Sequence, residues 1–305
     1  MYKVTSAYNH QDKVKIEWNL GKRCNYDCSY CPSIIHDNFS PHTDIEILKH
    51  AVDQLPHNTR LSFTGGEPTV HPKFEELIDY CVNVKGIKWV NVTTNGTRPV
   101  NFYFKLPVSH YVFSLHFEHD WERVRDTIMQ YAVSDVEEGM RKPFIINVMA
   151  HPKKMNEVRK AVIRFDLYNI KYAIRRIRWT SDDYNLFDDM RYDQNDLDWI
   201  LANDATVEPN TLIDNEIKMH ANDIIKKHMN KYKGWTCNAG LESLMINWDG
   251  EVHRATCRVG GSLGNIYTGT FNIPTEPITC TKDFCTCAAD IPLTKINVPT
   301  QEKLL

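Results

Sequence analysis

Two kinds of hydrophobic pattern alternate along the first part of the chain. Short runs of β-branched and aromatic residues predict strands, because such side chains pack well on a pleated sheet. Longer stretches with apolar residues at three- and four-residue steps predict amphipathic helices. The predicted strands are Val14–Leu20, Arg60–Thr64, Lys88–Thr94, His110–His116, Phe144–Met149 and Lys171–Arg178. The predicted helices are Asp44–Leu55, Lys73–Val84, Asp120–Met140 and Met155–Leu167.

The order of these elements predicts an α/β fold built on a parallel sheet. Strand–helix–strand repeats give parallel strands joined by right-handed crossovers. An eight-unit barrel takes about 250 residues, so a six-unit barrel needs roughly 190, close to the span from Val14 to about residue 200. We therefore expect a partial (β/α)6 TIM-like barrel as a first domain over residues 1–200.

The chain beyond the barrel has a different character. The acidic, turn-rich stretch Ser181–Asp198 is interpreted as the exit from the barrel, either a solvated connector or a lid over a substrate. Helical periodicity at Asp214–Met229 predicts a helical connector over residues 201–234. Residues 235–305 are rich in glycine and cysteine, and the Asp-Gly step in Asn247–Gly250 predicts a hairpin. These features predict a small cysteine-rich α+β domain.

Composition narrows the class of protein. The chain has 305 residues, of which 42% are hydrophobic and 25% charged, and its formal net charge is -3. This balance excludes a disordered or coiled-coil chain and gives no overall basic surface to capture nucleic acid. Apolar stretches such as Phe144–Ala150 fall far short of the roughly 20 residues that cross a bilayer, and the polar start resembles no signal peptide. We expect a cytoplasmic protein without membrane or nucleic-acid partners.

Nine cysteines are the unusual feature of this composition. An odd number does not suit a disulfide framework, and in a reducing cytoplasm closely spaced thiols are more often metal ligands. Cys81 stands alone on the apolar side of a predicted helix and is expected to be a small buried hydrophobe. The other cysteines form one group at Cys24, Cys28 and Cys31 and a second at Cys237, Cys257, Cys280, Cys285 and Cys287.

The first group follows directly after the first predicted strand, at the end of the sheet where α/β enzymes build sites. A cubane iron–sulfur cluster has four irons, so three cysteines leave one iron free to bind a substrate or cofactor. Zinc proteins also use such spacing. The Cys-x3-Cys-x2-Cys loop, with the aromatic Tyr30 before its last cysteine, resembles the signature of the radical S-adenosylmethionine (SAM) superfamily.

Further motifs strengthen this resemblance. Gly65-Gly66-Glu67 follows the second predicted strand, where the family carries a Gly-Gly-Glu segment that holds the SAM amino group; in isolation it is a plain glycine turn with a surface glutamate. The resemblance implies that the first three cysteines bind a 4Fe-4S cluster whose open iron chelates SAM. The implied SAM-binding residues are Tyr30, Gly65, Gly66, Glu67, Asn95 and Ser114, with His116 a weaker candidate.

The resemblance also implies a reaction. One electron delivered to the cluster cleaves SAM to methionine and a 5'-deoxyadenosyl radical, which abstracts hydrogen from a substrate. We expect a reductant such as flavodoxin or ferredoxin, and a peptide or a small molecule as substrate. The alternative is a non-catalytic iron–sulfur or zinc protein that transfers electrons or binds a partner.

The second group of cysteines resembles the twitch or SPASM extension of some radical SAM enzymes. There a cysteine, a glycine-centred hairpin and another cysteine, here Cys237, Gly250 and Cys257, help to hold an auxiliary cluster. The resemblance implies one auxiliary 4Fe-4S cluster, for electron transfer or substrate ligation. Its implied ligands are Cys237, Cys257, Cys285 and Cys287, with Cys280 left over. The closing Cys-x4-Cys-x-Cys departs from the family's usual pair, and a zinc site with four cysteines is the alternative.

Overall fold

The computed structural model describes residues 3–7, 13–135, 137, 139–177, 192–203 and 208–297. The chain forms two compact units. The α/β unit comprises residues 18–55 and 60–207, and the cysteine-rich unit comprises residues 1–17, 56–59 and 208–305. Within the ranges described, no helix combines the length and the apolar character needed to cross a bilayer.

The α/β unit is built on a sheet whose strands follow one another in chain order. They are the end of β2 (Val14–Asn19), β3 (Thr59–Thr64), β4 (Val90–Thr94), β5 (His110–Leu115), β6 (Phe144–Ala150) and β7 (Tyr172–Arg176). Every neighbouring pair from β3 to β7 is parallel. The helices are α1 (Ile45–Asp53), α2 (Phe74–Asp79), α3 (Val100–Lys105), α4 (Trp121–Val133), α5 (Met155–Leu167) and α6 (Gln194–Asn203).

A buried aromatic layer fixes two of these helices to the sheet. Successive side chains of a strand point to opposite faces, and in β5 the alternate residues Tyr111, Phe113 and Leu115 are fully buried. Tyr103 of α3 packs edge-to-face on Phe113 with ring centroids 5.0 Å apart, and Tyr131 of α4 approaches the same ring at 5.6 Å. This layer covers one face of the sheet. The loops at the carboxyl ends of the strands remain available to form a site.

The predicted α/β fold with a parallel sheet is confirmed, and every predicted strand of this sheet occurs within a few residues of its predicted bounds. Helix α5 has the predicted bounds, whereas α4 is shorter than predicted. It ends at Val133 because Ser134 takes an extended backbone conformation and its hydroxyl donates to the Gln130 carbonyl at 2.6 Å. The predicted helix at Lys73–Val84 continues past α2 as one π-helical turn at Tyr80–Val84.

The cysteine-rich unit contains a small antiparallel sheet and a separate set of hairpin strands. The strands are β1 (Lys3–Ser6), β8 (Thr211–Ile213), β9 (Ile217–Met219), β10 (Thr236–Cys237), β11 (Ser243–Ile246), β12 (Glu251–His253), β13 (Ser262–Asn265), β14 (Ile278–Thr279) and β15 (Lys295–Ile296), and a short helix is α7 (Ala221–Lys226). The sheet has the order β14-β10-β15-β1-β8-β9, and β12 pairs antiparallel with both β11 and β13.

The helix predicted at Asp214–Met229 is wrong over its first part. Asp214 and Asn215 both have positive φ angles, of 50° and 62°, and form the turn between β8 and β9. Residues with short polar side chains tolerate this left-handed conformation. The hairpin predicted at Asn247–Gly250 is confirmed, since β11 pairs antiparallel with β12 on either side of it.

The units of the structure also differ from the predicted domain limits. β1 pairs with β8 and β15, so the N-terminal residues belong to the cysteine-rich unit and not to the α/β unit. Residues 208–234 are part of the same cysteine-rich unit. In the predicted connector Ser181–Asp198, helix α6 begins at Gln194, while the residues before Tyr192, together with Arg178, lie outside the described residues.

Candidate functional site

The loop with the first three cysteines begins where β2 ends and is held by backbone hydrogen bonds. Cys24 N donates to Asp37 O at 2.8 Å, and Cys31 N donates to Cys28 O at 3.0 Å. All three thiols are free; Cys28 is buried, and Cys24 and Cys31 are half-buried. The loop thus presents three sulfur donors that no disulfide occupies.

These thiols lie close enough to influence one another. Burial raises the pKa of Cys24 to about 11 and the pKa values of Cys28 and Cys31 to about 12. The charge of Cys24 further raises the pKa of both Cys28 and Cys31. By themselves the three groups stay protonated at neutral pH, whereas a bound metal deprotonates a coordinating thiol outright. A bound cation would therefore convert these three thiols into thiolate ligands.

Two observations test whether an iron–sulfur cluster suits this loop. Tyr26 is buried near Cys28, and its hydroxyl has no hydrogen-bond partner among the described residues. In that same part of the chain, no three His, Cys, Asp or Glu side chains have the spacing that holds a single metal ion. A cubane tolerates wider spacing because its cysteines bind different irons. The three thiols and the unpartnered hydroxyl fit such a group.

Gly65 and Gly66 let the turn after β3 approach the start of the cysteine loop. Gly66 N donates to Gly21 O at 2.8 Å, and Glu67 N donates to Arg23 O at 2.9 Å. A Cβ atom on Gly66 would stand 2.3 Å from Arg23 O, and one on Gly65 would stand 2.7 Å from Gly21 O. The absent side chains are therefore required by contact with the protein's own backbone, a reason that the sequence motif alone does not reveal.

Glu67 is buried, so the alternative of a surface glutamate is wrong. Its Oε1 accepts hydrogen bonds from Thr69 N at 3.1 Å, Thr69 Oγ1 at 2.6 Å and Thr94 Oγ1 at 2.8 Å, and its Oε2 accepts from Asn95 N at 2.6 Å. Burial raises the pKa of Glu67, and these donors oppose that rise. The carboxylate ties the end of β3 to the end of β4 within the protein itself.

Asn95 extends this connection to the cysteine loop. Its Nδ2 donates to Asn25 Oδ1 at 2.8 Å, and its Oδ1 accepts from Thr97 N at 3.2 Å and Thr97 Oγ1 at 2.7 Å. Asn25 lies between Cys24 and Cys28 in the chain. The turn after β4, the Gly-Gly-Glu turn and the cysteine loop are thus joined by direct hydrogen bonds.

Tyr30 and His116 lie against the buried cysteine of the loop. The Tyr30 hydroxyl and His116 Nδ1 are 2.5 Å apart, and Cys28 Sγ lies 3.6 Å from the same nitrogen. Burial lowers the pKa of His116 to about 4, so the ring is neutral at physiological pH. The structure therefore brings His116, the weaker sequence candidate, into direct contact with Tyr30 and Cys28.

Ser114 is half-buried on β5, where it faces Asn147 of β6 across the parallel pair. Asn147 Oδ1 accepts a hydrogen bond from Arg175 Nε of β7 at 2.8 Å. Three neighbouring strands thus carry polar side chains near their carboxyl ends. Sequence reasoning singles out Ser114 and leaves Asn147 unnoticed, because an asparagine inside an apolar run carries no signal of its own.

Sequence reasoning also misses Glu118 and His119, which contact the middle of the cysteine loop. Ser29 N and Ser29 Oγ donate to the two carboxylate oxygens of Glu118 at 2.8 and 2.7 Å. The Tyr26 ring stacks on His119 with centroids 4.0 Å apart, and Asp27 N donates to His119 Nε2 at 3.3 Å. The available signal is the run of titratable residues directly after β5.

In the second group, the cysteine-rich unit packs Cys237, Cys280 and Cys285 in one buried cluster, with Cys257 against it. Burial, followed by the charge of Asp290, raises the pKa of Cys257 to about 11, with smaller contributions from the charges of Cys237 and Cys280. Cys287 is half-buried, and burial followed by the charges of Asp290 and Glu17 raises its pKa to about 12. Cys280, left over by sequence reasoning, therefore lies with Cys237 and Cys257. Cys81 is fully buried, as expected for a small hydrophobe.

Residues 18–142 match the family model of the radical SAM superfamily. Among curated proteins, GTP 3',8-cyclase of Haemophilus influenzae (strain PittEE) is 32% identical over 86 residues, which are 26% of this chain and 25% of that protein. Fe-coproporphyrin III synthase of Methanosarcina barkeri is 32% identical over 93 residues, or 30% of this chain and 23% of that protein. The match thus spans about a quarter of these relatives.

Solved structures resemble a larger part of the chain. The structure described as native anSMEcpe with bound AdoMet and Kp18Cys peptide has a TM-score of 0.54 at 17% identity, over 85% of this chain and 79% of that chain. Streptococcus suis SuiB has a TM-score of 0.52 at 16% identity, over 84% and 64%. At such low identity these likenesses concern the fold, and they confirm the predicted partial TIM-like barrel.

Proposed function

We propose that the chain, whose residues 18–142 match the radical SAM superfamily, is an enzyme that cleaves SAM reductively and abstracts hydrogen from a substrate. The superfamily uses a 4Fe-4S cluster with SAM, and the proposed ligands here are Cys24, Cys28 and Cys31. When bound, the cluster supplies the electron for the cleavage. One observation carries the proposal: hydrogen bonds join the cysteine loop both to the turn that contains Glu67 and to the turn that contains Asn95.

The proposed roles of the surrounding residues follow from their contacts. Gly65 and Gly66 allow the backbone of their turn to contact the backbone at the start of the cysteine loop. Glu67 orients the Asn95 turn through its buried carboxylate. We propose that these two turns, together with Tyr30 and Ser114, would bind SAM next to the cluster. Preorganised groups of this kind lower the cost of holding two reactants in a productive geometry.

The proposal predicts a product that is simple to measure. The reconstituted full-length protein, incubated without oxygen with SAM and dithionite, is expected to form 5'-deoxyadenosine and methionine in equal amounts. Liquid chromatography with mass spectrometry quantifies both. A reaction without dithionite is the control and should form neither. Reduced, cluster-loaded protein that leaves SAM intact would show that the assigned activity is wrong.

For the cysteine-rich unit we propose a twitch-like domain over residues 235–305 with one auxiliary 4Fe-4S cluster, for electron transfer or substrate ligation. Cys237, Cys257 and Cys285 are proposed as ligands. The sequence favours Cys287 as the fourth ligand, whereas burial beside Cys237 and Cys257 favours Cys280. We propose Cys280, because its charge acts on both Cys237 and Cys257, whereas the charge of Cys287 acts on Cys285.

Paired serine variants separate the two choices. Cys280→Ser is expected to reduce the iron content of the reconstituted protein from about eight to about four per chain, since one cubane holds four irons. Cys287→Ser, the matched control, is expected to retain about eight irons by the same count. Iron and sulfide analysis of both proteins provides the measurement. The reverse pattern would assign Cys287 as the ligand, and zinc in place of iron would identify the alternative zinc site.

The proposed substrate class is a peptide or a small molecule, and a peptide is favoured. The anSMEcpe structure contains a bound peptide, and SuiB has been solved with the precursor peptide SuiA; both have the fold of this chain. We propose that flavodoxin or ferredoxin in the cytoplasm supplies the electron. The non-catalytic alternative is not favoured, because the matched superfamily and the named relatives are enzymes.

A further inference from the structure

A buried tyrosine in the cysteine-rich unit has an unused hydroxyl group. Tyr232 is 1% exposed, and its Oη has no hydrogen-bond partner within the described part of the chain. Its ring packs against Trp235 with centroids 5.3 Å apart, so packing holds the side chain in place. A buried hydroxyl without a partner bears the full cost of its desolvation, and each such group in a native protein calls for an explanation.

Tyr232 belongs to the same buried cluster as one of the thiols, Cys285. Burial raises the pKa of Tyr232, and the charge of Cys285 adds to that rise. The backbone of Cys285 is held in place from the same segment, because Cys285 N donates to Asn230 O at 2.8 Å and Asn230 Nδ2 donates to Cys285 O at 3.0 Å. The unused donor of Tyr232 is thus held beside a proposed cluster ligand.

A buried lysine lies over the tyrosine ring. Lys295 is 1% exposed, and its Nζ lies 5.2 Å from the centroid of the Tyr232 ring. The ammonium donates to three carbonyl oxygens, those of Asp290 at 2.7 Å, Ile291 at 2.9 Å and Leu293 at 3.1 Å. These acceptors satisfy its protons. Its charge also acts on the buried carboxyl of Asp290, where it lowers a pKa that burial raises to about 6. No carboxylate of the described residues lies within 4.0 Å of it.

Lys295 also faces the proposed ligands. On the antiparallel pair of β10 and β15 it is the direct partner of Cys237, and such partners lie side by side on one face of the sheet. Its charge lowers the pKa of both Cys237 and Cys285, against the larger effect of burial. Burying a charge is costly, and Asp290 makes no ion pair with Lys295 within 4.0 Å, so a further negative group among the buried thiols would stabilise this lysine.

We propose that Tyr232 and Lys295 are positioning residues for the auxiliary cluster: Tyr232 donates its hydroxyl to a sulfur at Cys285, and Lys295 compensates the negative charge of the thiolate-ligated cluster. This inference rests on the proposed auxiliary cluster. Hydrogen bonds to the sulfurs and the net charge around a cluster set its reduction potential. Both residues stabilise the more negative, reduced state, so together they raise the potential and make this cluster easier to reduce.

The test compares variants of the reconstituted full-length protein by redox titration followed by electron paramagnetic resonance. SAM alters the signal of the cluster that binds it, so the signal that SAM leaves unchanged reports the auxiliary cluster. Tyr232→Phe removes only the hydroxyl and is expected to lower the potential of that signal by about 59 mV, a tenfold change for one electron. Lys295→Met is expected to lower it further or to lose the cluster, and Lys295→Arg is expected to restore it.

Tyr267→Phe is the matched control, because the Tyr267 hydroxyl donates to the Trp248 carbonyl at 3.4 Å in the same unit. This variant is expected to keep the wild-type potential. Wild-type protein with both clusters, and an unchanged auxiliary potential in Tyr232→Phe and Lys295→Met, would overturn this inference alone. Wild-type protein with only the SAM-sensitive signal would instead overturn the auxiliary cluster on which the inference rests.

Discussion

Cys28→Ala is expected to lower 5'-deoxyadenosine formation from SAM by at least about a thousandfold, because a missing metal ligand removes the site where the chemistry occurs. Cys28 is the buried member of the loop, and its Sγ lies 3.6 Å from His116 Nδ1. The iron content is expected to fall from about eight to about four per chain. Product analysis and iron analysis of the reconstituted variant measure the two effects.

Cys81→Ala is the control for this substitution. Cys81 is also buried, but it lies in the π-helical turn after α2 and is remote in sequence from both groups. Its replacement is expected to leave iron content and product formation unchanged. If Cys28→Ala protein instead formed 5'-deoxyadenosine as fast as the wild type, Cys28 would not be a ligand of the SAM-binding cluster.

Gly66→Ala is expected to have the second largest effect on SAM cleavage. Its Cβ would meet Arg23 O at 2.3 Å and Lys22 O at 2.4 Å, and both contacts are backbone atoms that cannot rotate away. The cysteine loop must therefore shift relative to the Gly-Gly-Glu turn. Overpacking of this kind costs about 1–3 kcal/mol of stability. A displacement of about 1 Å at a reactive site can cost about 100-fold in rate, which is the loss expected here.

Gly21→Ala isolates the steric part of this prediction. A Cβ on Gly21 meets nothing closer than Arg23 N at 4.0 Å, and neither glycine has a positive φ angle. The control is expected to keep the stability and the 5'-deoxyadenosine yield of the wild type. Thermal unfolding and product analysis provide the comparison. Equal behaviour of the two variants would mean that the close approach at Gly66 does not hold the cysteine loop.

The sheet was accessible to sequence reasoning because its strands are short runs rich in β-branched and aromatic residues, which pack well on a pleated sheet. Phe144–Ala150 is such a run and became β6. The short elements were not accessible. Helix α3 has six residues, too few to display a period, and only Pro99 ahead of it marks its start. The turn between β8 and β9 depends on two positive φ angles that apolar periodicity does not report.

In the candidate site, too, some features could be predicted from the sequence and others only from the folded chain. The motif predicts the presence of Gly66 and Glu67, but the reason for each lies in contacts with residues distant in sequence. Arg23 O explains the glycine, and Thr94 and Asn95 explain the buried carboxylate. Spacing alone also could not rank Cys280, because only the folded chain brings it to Cys237 through the pairing of β10 with β14.

In the proposed function, a cluster held by three cysteines leaves one iron to bind SAM. Electron–nuclear double resonance of the reduced, SAM-bound protein tests it most directly, with the amino nitrogen of SAM isotopically labelled. We predict a hyperfine coupling between the label and the cluster that disappears in Cys28→Ala. Bound SAM without any coupling of its labelled nitrogen to the cluster would contradict the claim.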